Sequence, residues 1–168
     1  KTEAEKALET IIDGATYSVV ADISAAKLPT GFNVAKKLYN GQEISVATDD
    51  NKTYEIYYLK SDTGEELIPY TFDEAANAFK RVQIITQGEN SYIVAELPAE
   101  YIIPEGYYET NENIAGMDIK CYAPTAGELA DMYYIYCCFE GKFAMYRYDN
   151  VEKVLQRSPE FKLIDSEQ

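Results

Sequence analysis

The chain carries one module twice. Tyr17-Ser18-Val19-Val20 opens a stretch that closes with Leu28-Pro29-Thr30-Gly31-Phe32, and Tyr92-Ile93-Val94-Ala95 opens one that closes with Ile103-Pro104-Glu105-Gly106-Tyr107. Tyr17 and Tyr92, Pro29 and Pro104, and Gly31 and Gly106 are each 75 positions apart. Further on, Tyr70-Thr71-Phe72-Asp73 with Arg81 is echoed 76 positions later by Tyr146-Arg147-Tyr148-Asp149 with Arg157. A module of this size buries a small share of its surface, so two copies within 168 residues favour a pseudo-symmetric pair over independent beads. The connection at Gln87-Gly88-Glu89-Asn90 is too short for a flexible linker.

Within each copy the apolar residues alternate with a period of two. Strands are expected at Tyr17–Ile23, Phe32–Tyr39, Glu43–Thr48, Thr53–Lys60 and Leu67–Phe72, with counterparts at Tyr92–Leu97, Met132–Phe139 and Phe143–Tyr148. Asn40-Gly41 is the strongest short hairpin signal. The unbroken apolarity of Met132–Phe139 points to a strand buried on both faces or covered by a partner. Each copy ends ambiguously. Glu74-Ala75-Ala76-Asn77 looks helical, but Phe79–Thr86 alternates and is rich in β-formers, so a hairpin is favoured there. Residues 1–14 read as an N-terminal helix or linker outside the duplication, with Ala4, Leu8, Ile11 and Ile12 as an apolar stripe, Thr2 as cap and Gly14 as stop. The expected fold is mainly β, with α+β as the alternative. It comprises two tandem antiparallel modules at 15–86 and 90–158, and a tail at 159–168.

Composition restricts the chemistry. Fifteen basic residues against 29 acidic ones give a net charge of −14, which repels phosphate backbones, so nucleic acid is not an expected partner. Anionic membrane surfaces are disfavoured for the same reason. Histidine is absent, which removes Ser-His-Asp and Cys-His catalysis and His-containing zinc sites. No cofactor and no metal are expected. Asp49-Asp50-Asn51 supplies oxygen ligands in principle but lacks a calcium-loop pattern, and a solvated turn is the simpler reading. Cys121, Cys137 and Cys138 form no Cys-x-x-Cys pair and read as small buried hydrophobes. No apolar run is long enough to span a membrane, and the chain starts at Lys1, which reads as a processed or truncated chain whose targeting and anchoring segments lie outside it.

Two sets of side chains are candidate binding residues. Tyr57, Tyr58, Tyr134 and Tyr136 sit in the matched tyrosine-rich strands, where exposed rings would form a platform for a sugar or a protein partner. The pairs Asp73/Arg81 and Asp149/Arg157 share a spacing of eight, which in a hairpin sets an acceptor near a bidentate donor. The simpler readings are core tyrosines and turn-capping aspartates.

The segment from Ile103-Pro104-Glu105-Gly106-Tyr107 through Tyr146-Arg147-Tyr148-Asp149 to Gln156-Arg157 resembles an uncharacterised extracellular β-rich domain family of membrane-anchored surface proteins in low-GC Gram-positive bacteria. The likeness covers about residues 92–158 and is looser over 15–86; Ser158-Pro159 stands where that family has an aromatic residue. The resemblance implies an extracytoplasmic location, at the cell surface or secreted, and an adjacent membrane anchor; it transfers no catalytic residue. The expected function is a non-enzymatic binding or structural module that contacts a protein or cell-wall component. A carbohydrate-binding module using a tyrosine face is the alternative, and an enzyme using carboxylates ranks third.

Overall fold

The computed structural model describes residues 1–125, 131–159, 161 and 164–165. The chain divides into two compact units, Lys1–Val82 and Gln83–Gln168, each built around a seven-stranded antiparallel sheet. The fold is mainly β, with a similar strand plan in each unit and a short helix at the N-terminus.

In the first unit, helix α1 (Glu3–Ala7) leads into strands β1 (Glu9–Ile12), β2 (Ala15–Val19), β3 (Phe32–Tyr39), β4 (Gln42–Asp49), β5 (Glu55–Ser61), β6 (Ile68–Asp73) and β7 (Ala78–Arg81). Strand β5 is the hub. One of its edges carries β6, with Tyr57 opposite Tyr70. The other edge is divided between two hairpins: β4 pairs at Ala47–Ile56, and β2 pairs at Val19–Leu59. Past β2 the chain continues across the division, with Val20 N–H donating to Tyr58 O at 2.8 Å and Ser45 N–H to Ala21 O at 2.9 Å. Side chains from four strands converge on one face, where Val19, Ile44, Val46, Tyr57, Leu59 and Tyr70 form the core. On the opposite face Ile56 and Tyr58 are equally buried.

The second unit contains β8 (Ile84–Gln87), β9 (Asn90–Val94), β10 (Tyr101–Ile102), β11 (Tyr107–Ile114), β12 (Met117–Pro124), β13 (Met132–Phe139), β14 (Lys142–Asp149), β15 (Val154–Arg157) and β16 (Ile164–Asp165), which pairs with β10. Strand β13 takes the place of β5, with β14 on one edge and both β12 and β9 on the other. The bridging bonds recur as well: Ala95 N–H donates to Tyr136 O at 2.9 Å, and Ser158 N–H to Met145 O at 3.1 Å, matching Val82 N–H to Pro69 O at 3.0 Å. As its apolar run predicts, β13 is covered on both faces. Ile135 and Cys137 join Ile119, Cys121 and Tyr146 on one side, while Tyr134 meets Tyr122, Met145 and Phe161 on the other.

Two expectations need correction. The helix is confined to Glu3–Ala7, closed at its start by a reciprocal capping box between Thr2 and Glu5. Residues 9–12 are instead strand β1, which occupies the place that β8 holds in the second unit, so this segment lies inside the duplication. The physical cause is local. Thr10, Ile11 and Ile12 are β-branched and lose rotamer freedom in a helix. Asp13-Gly14 has positive φ at both residues (51° and 81°), the turn that closes a two-residue hairpin rather than ending a helix. The same turn recurs at Asn40-Gly41, Ala115-Gly116 and Glu140-Gly141. Correspondingly, Ile84–Gln87 opens the second unit rather than closing the first.

The three cysteines are free and buried. Burial pushes the Cys121 thiol up to about 12, raises Cys137 as well, and pushes the Tyr58 hydroxyl, which has no hydrogen-bond partner among the described residues, up to about 12. In the unfolded chain these groups ionise near their ordinary values, about 8.5 for cysteine and 10 for tyrosine. The folded state therefore retains protons that the unfolded state loses, and their stabilisation, complete below about pH 8, is lost as pH rises toward 12. Urea midpoints are expected to fall between about pH 9 and 11. At pH 8 a thiol reagent such as Ellman's should leave all three cysteines unmodified until denaturant is added; rapid reaction of the folded protein would contradict the packing described.

Candidate functional site

Three of the four singled-out tyrosines belong to the core. Tyr57 and Tyr58 are 4% and 2% exposed and Tyr134 is 1% exposed. Tyr57 contacts the rings of Tyr39, Phe72 and Phe79, and Lys37 lies over its face at 5.3 Å while ion-pairing with Glu55. Tyr134 stacks on Phe161 at 4.8 Å and meets Tyr107 edge-on. A hub strand with both faces covered leaves no room for a ring platform along its length. Only Tyr136, half-buried and stacked on Phe143 at 5.8 Å, reaches the surface.

The Asp–Arg pairs are not pairs. Both segments are β-hairpins, as the alternation favoured, but Asp73 lies opposite Ala78 and Arg81 opposite Tyr70. In the second unit Asp149 lies opposite Val154, and Arg157 opposite Tyr146. Acceptor and donor therefore stand three residues apart along the ladder, about 10 Å. Each aspartate caps its own turn instead. Asp73 Oδ1 accepts from Ala76 N–H at 3.2 Å, and Asp149 Oδ1 accepts from Val151 and Glu152 N–H at 2.9 and 3.0 Å. Asp49 is also a turn cap. Its oxygens accept from Tyr54 and Asn51 N–H, so its carboxyl stays below the usual range although burial alone would raise it. Among the described residues no acidic or cysteine cluster suits a metal.

The arginines, freed from those aspartates, each line a cleft. In the first unit a cleft of about 470 Å³ opens between the β1–β2 hairpin and the β6–β7 hairpin, lined by Ile12, Asp13, Ala15, Tyr17, Tyr70, Phe79 and Arg81. Its floor is aromatic: Tyr17 meets Tyr70 edge-on at 6.1 Å, and Phe79 meets Tyr70 at 6.3 Å. Burial, then the neighbouring Tyr17, raises the Tyr70 hydroxyl, so it remains a neutral donor. Arg81 and Asp13 are both exposed at the rim. Neither closes an ion pair among the described residues. In the second unit a cleft of about 260 Å³ is lined by Tyr101, Tyr136, Phe143, Met145, Arg157, Ser158 and Phe161, among others. Ser158 Oγ is buried there without a hydrogen-bond partner among the described residues.

The seam that is open in the first unit is closed in the second. Gln87 stands where Ile12 does, and its amide spans from β8 to β15: Nε2 donates to Leu155 O at 3.0 Å, and Leu155 N–H donates to Oε1 at 2.7 Å. One side chain thus reproduces both halves of a backbone pairing. Phe139, in the place of Ser61, stacks on Tyr92 at 4.6 Å, the partner of Tyr17 in the duplication. Polar clip and extra ring together fill the space that Ile12 and Ser61 leave open.

Tyr17 and Tyr70 stand in the duplicated segments as strand aromatics, and Phe79 and Asp13 carry no conspicuous motif. The signal that finds them is the copy-to-copy difference at positions 12 and 61, readable only when the register of the duplication is known. No protein-family model, curated protein or solved structure matches the chain.

Replacing Gln87 with alanine removes both clip bonds and leaves the Leu155 backbone groups unpaired. A loss of about 1–3 kcal/mol of second-unit stability is expected, together with faster amide exchange at Leu155. Unchanged exchange would show that the seam is held by packing alone.

Proposed function

We propose that the chain is a non-enzymatic, extracytoplasmic binding module of a bacterial surface protein, contacting a protein or cell-wall component. The observation that carries this reading is the open, arginine-rimmed aromatic cleft of the first unit, on a scaffold whose second copy fills the same place. Concave aromatic surfaces with a few convergent polar groups are the usual form of ligand sites. Location and anchoring rest on the resemblance to surface proteins of low-GC Gram-positive bacteria. The lack of histidine and the buried, protonated thiols weigh against catalysis.

A carbohydrate-binding reading retains one foothold, the stacked Tyr136–Phe143 pair, with Phe143 39% exposed. Such a face would stack on a sugar ring.

The test is binding of the fluorescently labelled protein to whole Gram-positive cells and to purified cell-wall sacculi. Saturable binding, weakened by Arg81→Gln or by Tyr136→Ala, is the expected result, and the variant that weakens it names the cleft used. Loss on Tyr136→Ala together with glycan-array binding would favour the carbohydrate reading. Absence of binding to cells, sacculi and glycans alike would overturn the proposal.

A further inference from the structure

We infer that the cleft of the first unit is a site for a zwitterionic α-amino acid with an apolar or aromatic side chain, held by its carboxylate on Arg81 and its ammonium on Asp13. The inference rests on the binding-module reading and names the ligand class of its cleft.

The opposite charges are the first ground. Arg81 and Asp13 line one cleft, and neither closes an ion pair with the other or with any described residue. An exposed arginine without an acidic partner is notable in a chain with 29 acidic residues and three arginines. A guanidinium takes a carboxylate in a bidentate fork, and a carboxylate takes an ammonium by charge-assisted bonds. A ligand bearing both groups satisfies both rims at once.

The field of the whole molecule is the second ground. At a net charge of −14 a phosphate or dicarboxylate is repelled on approach, and Asp13 repels it again at the rim. An α-amino acid carries no net charge and avoids both penalties. The floor supplies the third ground. Tyr17, Tyr70 and Phe79 present ring edges and faces on which an aliphatic or aromatic side chain packs. A volume of about 470 Å³ falls within the roughly 300–1,000 Å³ typical of small-molecule sites.

The second unit shows what a non-binding version looks like. At the equivalent positions it keeps Tyr92, Tyr146 and Arg157, but Gly88 stands in place of Asp13, and Gln87 and Phe139 fill the space. Of the two rim charges only the arginine is present in both copies; the acid and the open volume are particular to the first.

The experiment is a titration of the isotope-labelled full chain with L-phenylalanine and L-leucine, followed by NMR at the Tyr17 and Tyr70 rings and the Arg81 side chain. N-acetyl-phenylalanine and phenylalaninamide, which each remove one charge, are the comparison ligands. Saturable shifts confined to the first unit are expected, with a Kd on the order of 1 mM for a small half-open site. Either blocked ligand should bind at least about tenfold more weakly. Arg81→Gln and Asp13→Asn should each raise Kd by about tenfold, and both change exposed rim residues that close no ion pair among the described residues. Ile12→Gln, which installs the clip of the second unit, should abolish binding, with the dispersion of the first-unit amide signals as the check that the fold survives the loss of an apolar side chain packed against the core. Absence of shifts up to about 20 mM overturns the inference, as does binding that Arg81→Gln or Ile12→Gln leaves intact. Equal affinity for the N-acetyl form overturns the zwitterion assignment. Should sacculus binding persist in Arg81→Gln, the module reading stands and this inference falls.

Discussion

Each unit depends on a single strand that is paired on both edges and buried on both faces. In β5 and β13 one edge is a continuous ladder and the other is shared end to end by two hairpins. Sharing an edge forces the two hairpins to approach from different directions, so their side chains close over one face as a core instead of extending a flat sheet. Leu59 and Cys137 illustrate the result: both are wholly inaccessible and lie where three neighbouring strands converge. Removing a large apolar side chain at such a position leaves a cavity that cannot collapse, because backbone pairing fixes the walls.

Much of this was legible in the sequence, for reasons that differ by element. Period-two patterning located β3 to β6 because half-buried strands alternate, and the duplication extended the reading to β9, β13 and β14, whereas β11 and β12 were not singled out. Asn40-Gly41 marked its hairpin because positive φ at two successive residues narrows the choice of amino acid. The unbroken run at Met132–Phe139 reported burial on both faces. The offset of 75 extended further than the obvious motifs: Glu9–Ile12 and Ile84–Gln87 obey it, yet they share too few residues to be noticed. A helical reading of residues 1–14 failed there because Ala4, Leu8 and Ile11 fit a 3.6 period by composition, whereas the decisive pairing of β1 with β2 is non-local in its payoff. It brings Leu8 and Ile12 against the core.

The site was less legible than the fold. Tyrosine count pointed to Tyr57, Tyr58 and Tyr134, but aromatic density in a strand reports packing demand as readily as ligand contact, and here packing took all three. The Asp–Arg spacing of eight was real but misleading. A four-residue loop between Asp73 and Ala78 sets the register so that the aspartate faces its own turn, and the arginine emerges at the far end of the hairpin. What the spacing preserved in both copies was thus the turn cap and the hairpin end separately. The cleft became visible only when the two units were compared position by position.

The glutamine clip has a consequence for how such a molecule is observed and how it diverges. A seam that one side chain latches is a seam that one substitution unlatches, so the distance in sequence between a sealed unit and an accommodating one is a codon or two. Every molecule here displays both conditions side by side, in the same solvent and at the same concentration. The sealed unit is therefore an internal reference for the open one, against which any perturbation confined to residues 1–82 reads as occupancy rather than as a change in the medium.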